Sequence, residues 1–283
     1  MDLAPEAAAK TLIYASLLLA IGANAARWLP APRLESQPGQ AADHFSQSLA
    51  RICTAAAVVL LVAQVLRAVA HTASAFGWSE AFTWSQFSVI AFESRWGEGW
   101  RIQAAAAVAL LVAVALIRVH KLAGWALTSA AVIACAVSMP LVGHGASNPY
   151  GLILHSAHIL GAGVWLGTLA CILLIRQRSA TDLLRSFAPF ALSGAGVVAL
   201  AGVIAAIDYV GSFNNLLTTS YGQALLLKLT VFAGVLACGY RNWRRWSVLP
   251  LGHVTDRRIE VIESALALAI VVVTSVLTEL AHP

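Results

Sequence analysis

The segment Met139 to Gly167 concentrates the residues able to do chemistry. It holds His144, His155 and His158, with Trp165 and the small residues Gly161, Ala162, Gly163 and Gly167 just beyond. His155 and His158 are three positions apart and share a helix face. Trp165, seven positions after His158, extends that face. The glycines permit close approach of a neighbouring helix. An imidazole inside a membrane helix is costly unless paired or liganded, and imidazole suits copper, zinc, iron or nickel. The plainer role is hydrogen bonding between helices or at the headgroup level. Three histidines within fifteen residues weigh toward a metal or haem site, with His144 in reach as a third ligand.

Further candidates lie on the same side of the chain. Thr278-Glu279-Leu280-Ala281-His282 offers a carboxylate and another imidazole, and His71 adds one more. Glu279 serves as a ligand or as the charge partner of Lys228, whose ammonium otherwise snorkels outward. Asp208 ends a span, either as a plain helix-end carboxylate or as part of a path. His44, His120 and His253 fall among basic loop residues and suit solvation. Only two methionines occur, which disfavours a soft thioether ladder. The four cysteines, Cys53, Cys135, Cys171 and Cys238, form no CxxC pair and fit small apolar core positions. No phosphate loop, dinucleotide fingerprint, serine triad spacing or HExxH helix is present, so the chain is expected to bind and move a substrate, not to be an enzyme. A redox role is the alternative.

These residues must be positioned by helices in a bilayer. Of 283 residues, 59% are hydrophobic and 11% charged, with mean hydropathy +0.78. Soluble domains carry about 25% charged residues. Continuous runs of Ala, Leu and Val give helices and not the alternating strands of a barrel. At about 20 residues per span, the expected architecture is all-α and polytopic, with about eight transmembrane helices: Thr11–Trp28, Ile52–Ala70, Trp100–Ile117, Gly124–Val142, Leu152–Ile175, Phe187–Ile207, Tyr221–Tyr240 and Val261–Leu280. Ala81–Phe92 suits the interface or a re-entrant turn. Met1 to Lys10 lacks the basic region of a cleaved leader, so the first span is expected to be structural.

The net charge of +5 calls for no nucleic acid. Thirteen of the 18 Lys and Arg residues fall in alternate loops, leaving Lys10, Arg67, Arg95, Arg101 and Lys228 for the other side. The positive-inside rule then places both termini outside. His71, His144, His155, His158 and His282 share that outer side.

Ser94-Arg95-Trp96-Gly97-Glu98 opens the third span and Thr219-Ser220-Tyr221-Gly222-Gln223 the seventh. Each is an aromatic–Gly pair, with a polar residue, Gln103 or Lys228, six positions after the glycine. Two four-helix halves in parallel orientation, 1–142 and 143–283, would account for this.

On Gly143-His144-Gly145, His155-x-x-His158, Trp165-Leu166-Gly167, Phe187 and Thr219-Ser220-Tyr221-Gly222 with Lys228, the sequence resembles the copper resistance protein D (CopD) family of bacterial inner-membrane proteins. The likeness is fullest over residues 140–283 and looser through Trp96-Gly97. Thr168 stands where the family's pattern has a second glycine. The resemblance implies copper binding at the periplasmic face and copper movement across the inner membrane, with periplasmic termini and a separate CopC-like copper donor as partner besides the lipid. His144, His155 and His158 would capture copper, with His71, Glu279 or His282 completing the site and Trp165, Tyr221, Gly222, Lys228 and Asp208 as path or support. Ligation needs neutral imidazole, so binding is expected to weaken below about pH 6.5. Distant relatives of the HemJ type bind haem, which makes a haem b redox protein the rival reading.

Overall fold

A backbone in hydrocarbon must satisfy its own hydrogen bonds, and the chain does so with helices throughout. The computed structural model describes residues 4–30, 38–142, 149–175, 180–248 and 257–278, and every regular element among them is helical. The long helices are α1 (Ala4–Ala26), α2 (Pro38–Phe76), α4 (Arg95–Leu116), α5 (Lys121–Ser138), α6 (Pro149–Ala162) continuing through a wide π turn (Gly163–Gly167) into α7 (Thr168–Ile175), α8 (Ala180–Val210), α10 (Ser220–Val248) and α11 (Arg257–Leu277). Two short helices, α3 (Trp84–Ser88) with a π turn at Val89–Glu93, and α9 (Phe213–Thr218), precede α4 and α10.

Among the described residues seven helices are long and apolar enough to cross a bilayer, nearer seven than the eight expected. Each of the first seven expected spans overlaps one of them. The eighth, Val261–Leu280, overlaps α11 and extends past the described residues, among which its apolar stretch is Ala265–Leu277. The segment Ala81–Phe92 forms α3 and its π turn. At 39 residues, α2 measures about 58 Å, far longer than the roughly 30 Å hydrocarbon layer, so it projects from the bundle.

Lipid removes most of the hydrophobic drive between helices, so packing and polar contacts hold the bundle. The innermost helix is α1, with 61% of its apolar stretch buried against 22% for α8 and 17% for α10. Its Ile13 and Leu17 meet Leu60 of α2, Leu110 of α4, Val132 of α5 and Leu184 of α8 in one core. Against the π turn the contact is backbone to backbone: a Cβ on Gly22 would land on the Gly167 carbonyl group. Thr168 Oγ1 donates to the Gly22 carbonyl at 3.4 Å. The four cysteines are free thiols, three of them buried, as small core residues should be.

Ion pairs define the two ends of the bundle. Lys121 Nζ lies 3.0 Å from Asp43 Oδ1, joining the starts of α5 and α2. At the opposite end Glu6 accepts from Ser74 Oγ at 2.9 Å and shares a hydrogen bond with His71 Nδ1 at 3.2 Å.

Helices α2, α4 and α5 enclose a filled polar interior. Gln103, fully buried, donates to the carbonyls of Ser138 and Met139 at 3.0 and 3.1 Å and accepts from Arg67 at 3.1 Å. Arg67 lies over the Trp96 ring, which stacks on His71 with centroids 4.1 Å apart. Replacing Gln103 with Leu strips a partner from all three groups. At 1–3 kcal/mol for each buried polar group left unmet, Gln103→Leu should cost about 2–3 kcal/mol after relaxation, read as a lowered melting midpoint in detergent.

The starts of α4 and α10 are built alike. Ser94 Oγ accepts from Gly97 N at 2.9 Å and Thr219 Oγ1 from Gly222 N at 3.0 Å. Each glycine lies against the carbonyls of the preceding short helix, at Ile90 and Ala91 or at Asn215 and Leu216. The helices before them, α2 and α8, both end at a glycine with positive φ, Gly77 (90°) and Gly211 (68°).

Candidate functional site

A cavity of about 330 Å³ opens among α1, α6, α8, α10 and α11. His155 and His158 line it from one face of α6, as their spacing requires. Trp165 closes its inner wall from the π turn, edge-on to Phe232 of α10 with centroids 5.8 Å apart. π turns recur at functional sites because they displace one residue from the helical register. Here the turn lies between the histidines and the backbone contact with α1.

The polar lining is cationic and phenolic. His155 Nε2 shares a hydrogen bond with Tyr209 Oη at 2.9 Å. His158 lies beside Val198 of α8, within electrostatic range of Lys228 and of His155. Tyr221 and Lys228 enter from α10, and Lys10 and Tyr14 from α1. Lys10 Nζ donates to the carbonyl and hydroxyl oxygens of Thr278, each at 3.4 Å. Apart from these groups and Thr274 the wall is apolar.

The structure brings together His155, His158, Trp165, Tyr221 and Lys228, and sets His71, Asp208 and Gly222 apart from them. His71 belongs to the Glu6–Ser74–Trp96 cluster and does not reach the cavity. Asp208 is exposed, and its neighbour Tyr209 lines the cavity instead. Gly222 supports the α9–α10 contact. His144, Glu279 and His282 lie outside the described residues. Among the described residues no three His, Cys, Asp or Glu gather as a metal-holding group. Lys10, Tyr14 and Tyr209 are additions that the motif search passed over. Lys10, Tyr14 and Leu18 all line the cavity at intervals of four along α1, a one-face spacing visible in the sequence.

Comparison with known proteins gives this arrangement its context. Residues 1–152 match the family described as copper resistance protein D-like, N-terminal domain, and residues 181–277 match copper resistance protein D. The chain belongs to the copper resistance protein D family. Tyr221 and Lys228 lie within the second matched stretch, while His155, His158 and Trp165 fall between the two. Among curated proteins, this family member is similar to the copper transport protein CutJ of Bacillus subtilis (strain 168), at 27% identity over 73% of this chain and 41% of CutJ. It therefore spans less than half the length of that relative. No solved structure matches it.

Proposed function

We propose that the chain binds copper in this cavity and passes it across the bacterial inner membrane, with both termini and the cavity's polar end on the periplasmic side. The observation that carries this reading is the pair His155 and His158, presented on one helix face to a partly open cavity within the bundle. Imidazole is a copper ligand, and the membership in a copper resistance family and the similarity to a copper transport protein favour copper over other metals. His144 or His282 would add a third imidazole without filling the coordination, and a CopC-like periplasmic protein would deliver the ion. His71, beside Glu6 at the same end of the bundle, suits an outer capture point ahead of the cavity.

The rival haem b reading fits these histidines less well. Two residues three apart leave α6 in the same direction, whereas paired axial ligands must approach a macrocycle from opposite faces. The test is an absorption spectrum with metal analysis of the detergent-purified protein, before and after copper addition. The expected result is stoichiometric copper with no Soret band. A Soret band would replace copper transport with haem redox chemistry.

A further inference from the structure

The alike starts of α4 and α10 make the interiors of the two halves comparable position by position. Gln103 and Lys228 both stand six residues after the helix-opening glycine. Ten residues before the positive-φ glycines that end α2 and α8 stand Arg67 and Ala201. In the first half, Arg67 and Gln103 fill the interior and bond to each other. In the second half, Ala201 and Gly202 leave that volume empty and line the cavity, and the amide position carries a cation.

That cation creates an electrostatic problem for a metal site. Lys228 makes no hydrogen bond or ion pair among the described residues, and it lies within electrostatic range of His158. The described residues lining the cavity include no carboxylate. Copper on His155 and His158 would meet an ammonium inside a low-dielectric volume, where like charges repel far more strongly than in water. Two imidazoles also leave coordination positions on copper open. A small anion that ligates the metal on one side and accepts from the ammonium on the other removes both difficulties.

We propose that the cavity takes copper together with a small metal-coordinating anion, a halide or a carboxylate, held between the Lys228 ammonium and copper on His155 and His158. This rests on the copper reading of the two histidines and adds the chemical form in which the ion is held.

The test is copper titration of the full chain in detergent at constant ionic strength, with sodium methanesulfonate, chloride or acetate as the salt. Chloride or acetate should tighten copper binding by about tenfold over methanesulfonate, the scale of a linked pair of ligands, and whichever does so identifies the anion class. Lys228→Gln, which installs the side chain found at position 103, should abolish that dependence and bind copper in methanesulfonate more tightly than the unaltered chain. Equal affinity in all three salts, with copper binding still lost on combined His155→Ala and His158→Ala substitution, would overturn the anion and leave the copper site standing. Undiminished binding in the double variant would overturn both. X-ray absorption of the unaltered copper-loaded chain in chloride gives an independent reading. A chlorine scatterer at the metal supports the proposal, and its absence with chloride-tightened binding overturns it.

Discussion

Combined His155→Ala and His158→Ala substitution is expected to lower copper affinity by at least about 100-fold and to abolish copper-dependent uptake by cells. The size of the effect follows from the ligand count. Altering a group that merely orients a metal ligand costs about 10–100-fold in affinity, and here the two described imidazoles of the cavity are removed outright. Neither change should unfold the bundle. Both side chains face the cavity rather than the packed core, and alanine is the best helix former. His120→Ala, at the opposite end of the bundle, is the matched control and should leave affinity unchanged. Isothermal titration of the three variants checks the expectation. Copper binding that survives the double substitution would show that His155 and His158 serve helix–helix hydrogen bonding alone.

The second large effect concerns a single methyl group. Gly22→Ala places a Cβ on the Gly167 backbone, where no flexible side chain can yield. Helix α1 must shift away from the π turn, breaking the Thr168–Gly22 hydrogen bond and disturbing the core at Ile13 and Leu17. Overpacking usually costs 1–3 kcal/mol, and a clash with backbone on both sides should reach about 3 kcal/mol or more. Because Lys10 and Tyr14 ride on the same helix, the substitution should also weaken copper binding. Gly196→Ala provides the contrast: its Cβ would meet nothing within 4 Å. Thermal unfolding in detergent should show a lower midpoint for the first variant and an unchanged or higher one for the second, since alanine favours helix over glycine.

The sequence announced most of the membrane architecture because uninterrupted apolar windows need no tertiary knowledge to be recognised. The eighth expected span coincides with α11, whose first turns carry Arg257, Arg258, Glu260 and Glu263 and whose apolar stretch among the described residues is Ala265–Leu277. The shared face of His155 and His158 was legible from helical geometry alone. Asp208 drew attention as a carboxylate at a helix end, yet one residue along a helix rotates the side chain by about 100°, and that step puts Tyr209 in the wall and Asp208 outside. Lys10 and Tyr14 were harder to find. They enter the wall from a helix more than 140 residues earlier in the chain, and no local pattern encodes which distant helix will lie beside α6. The glycines of the π turn signalled close approach, but the identity of the approaching partner, Gly22, came only with the fold.

The contact between Gly22 and the π turn also has a consequence in time. Thr168 follows Gly22 by 146 residues. At about 5–20 residues per second, α1 waits roughly 7–30 s during synthesis before its partner exists. Throughout that interval three further spans, α2, α4 and α5, enter the bilayer, and the glycine face of α1 must be covered by lipid or by a provisional neighbour that later gives way. The innermost helix thus precedes in synthesis the turn that holds it, so the order of insertion and the order of assembly differ.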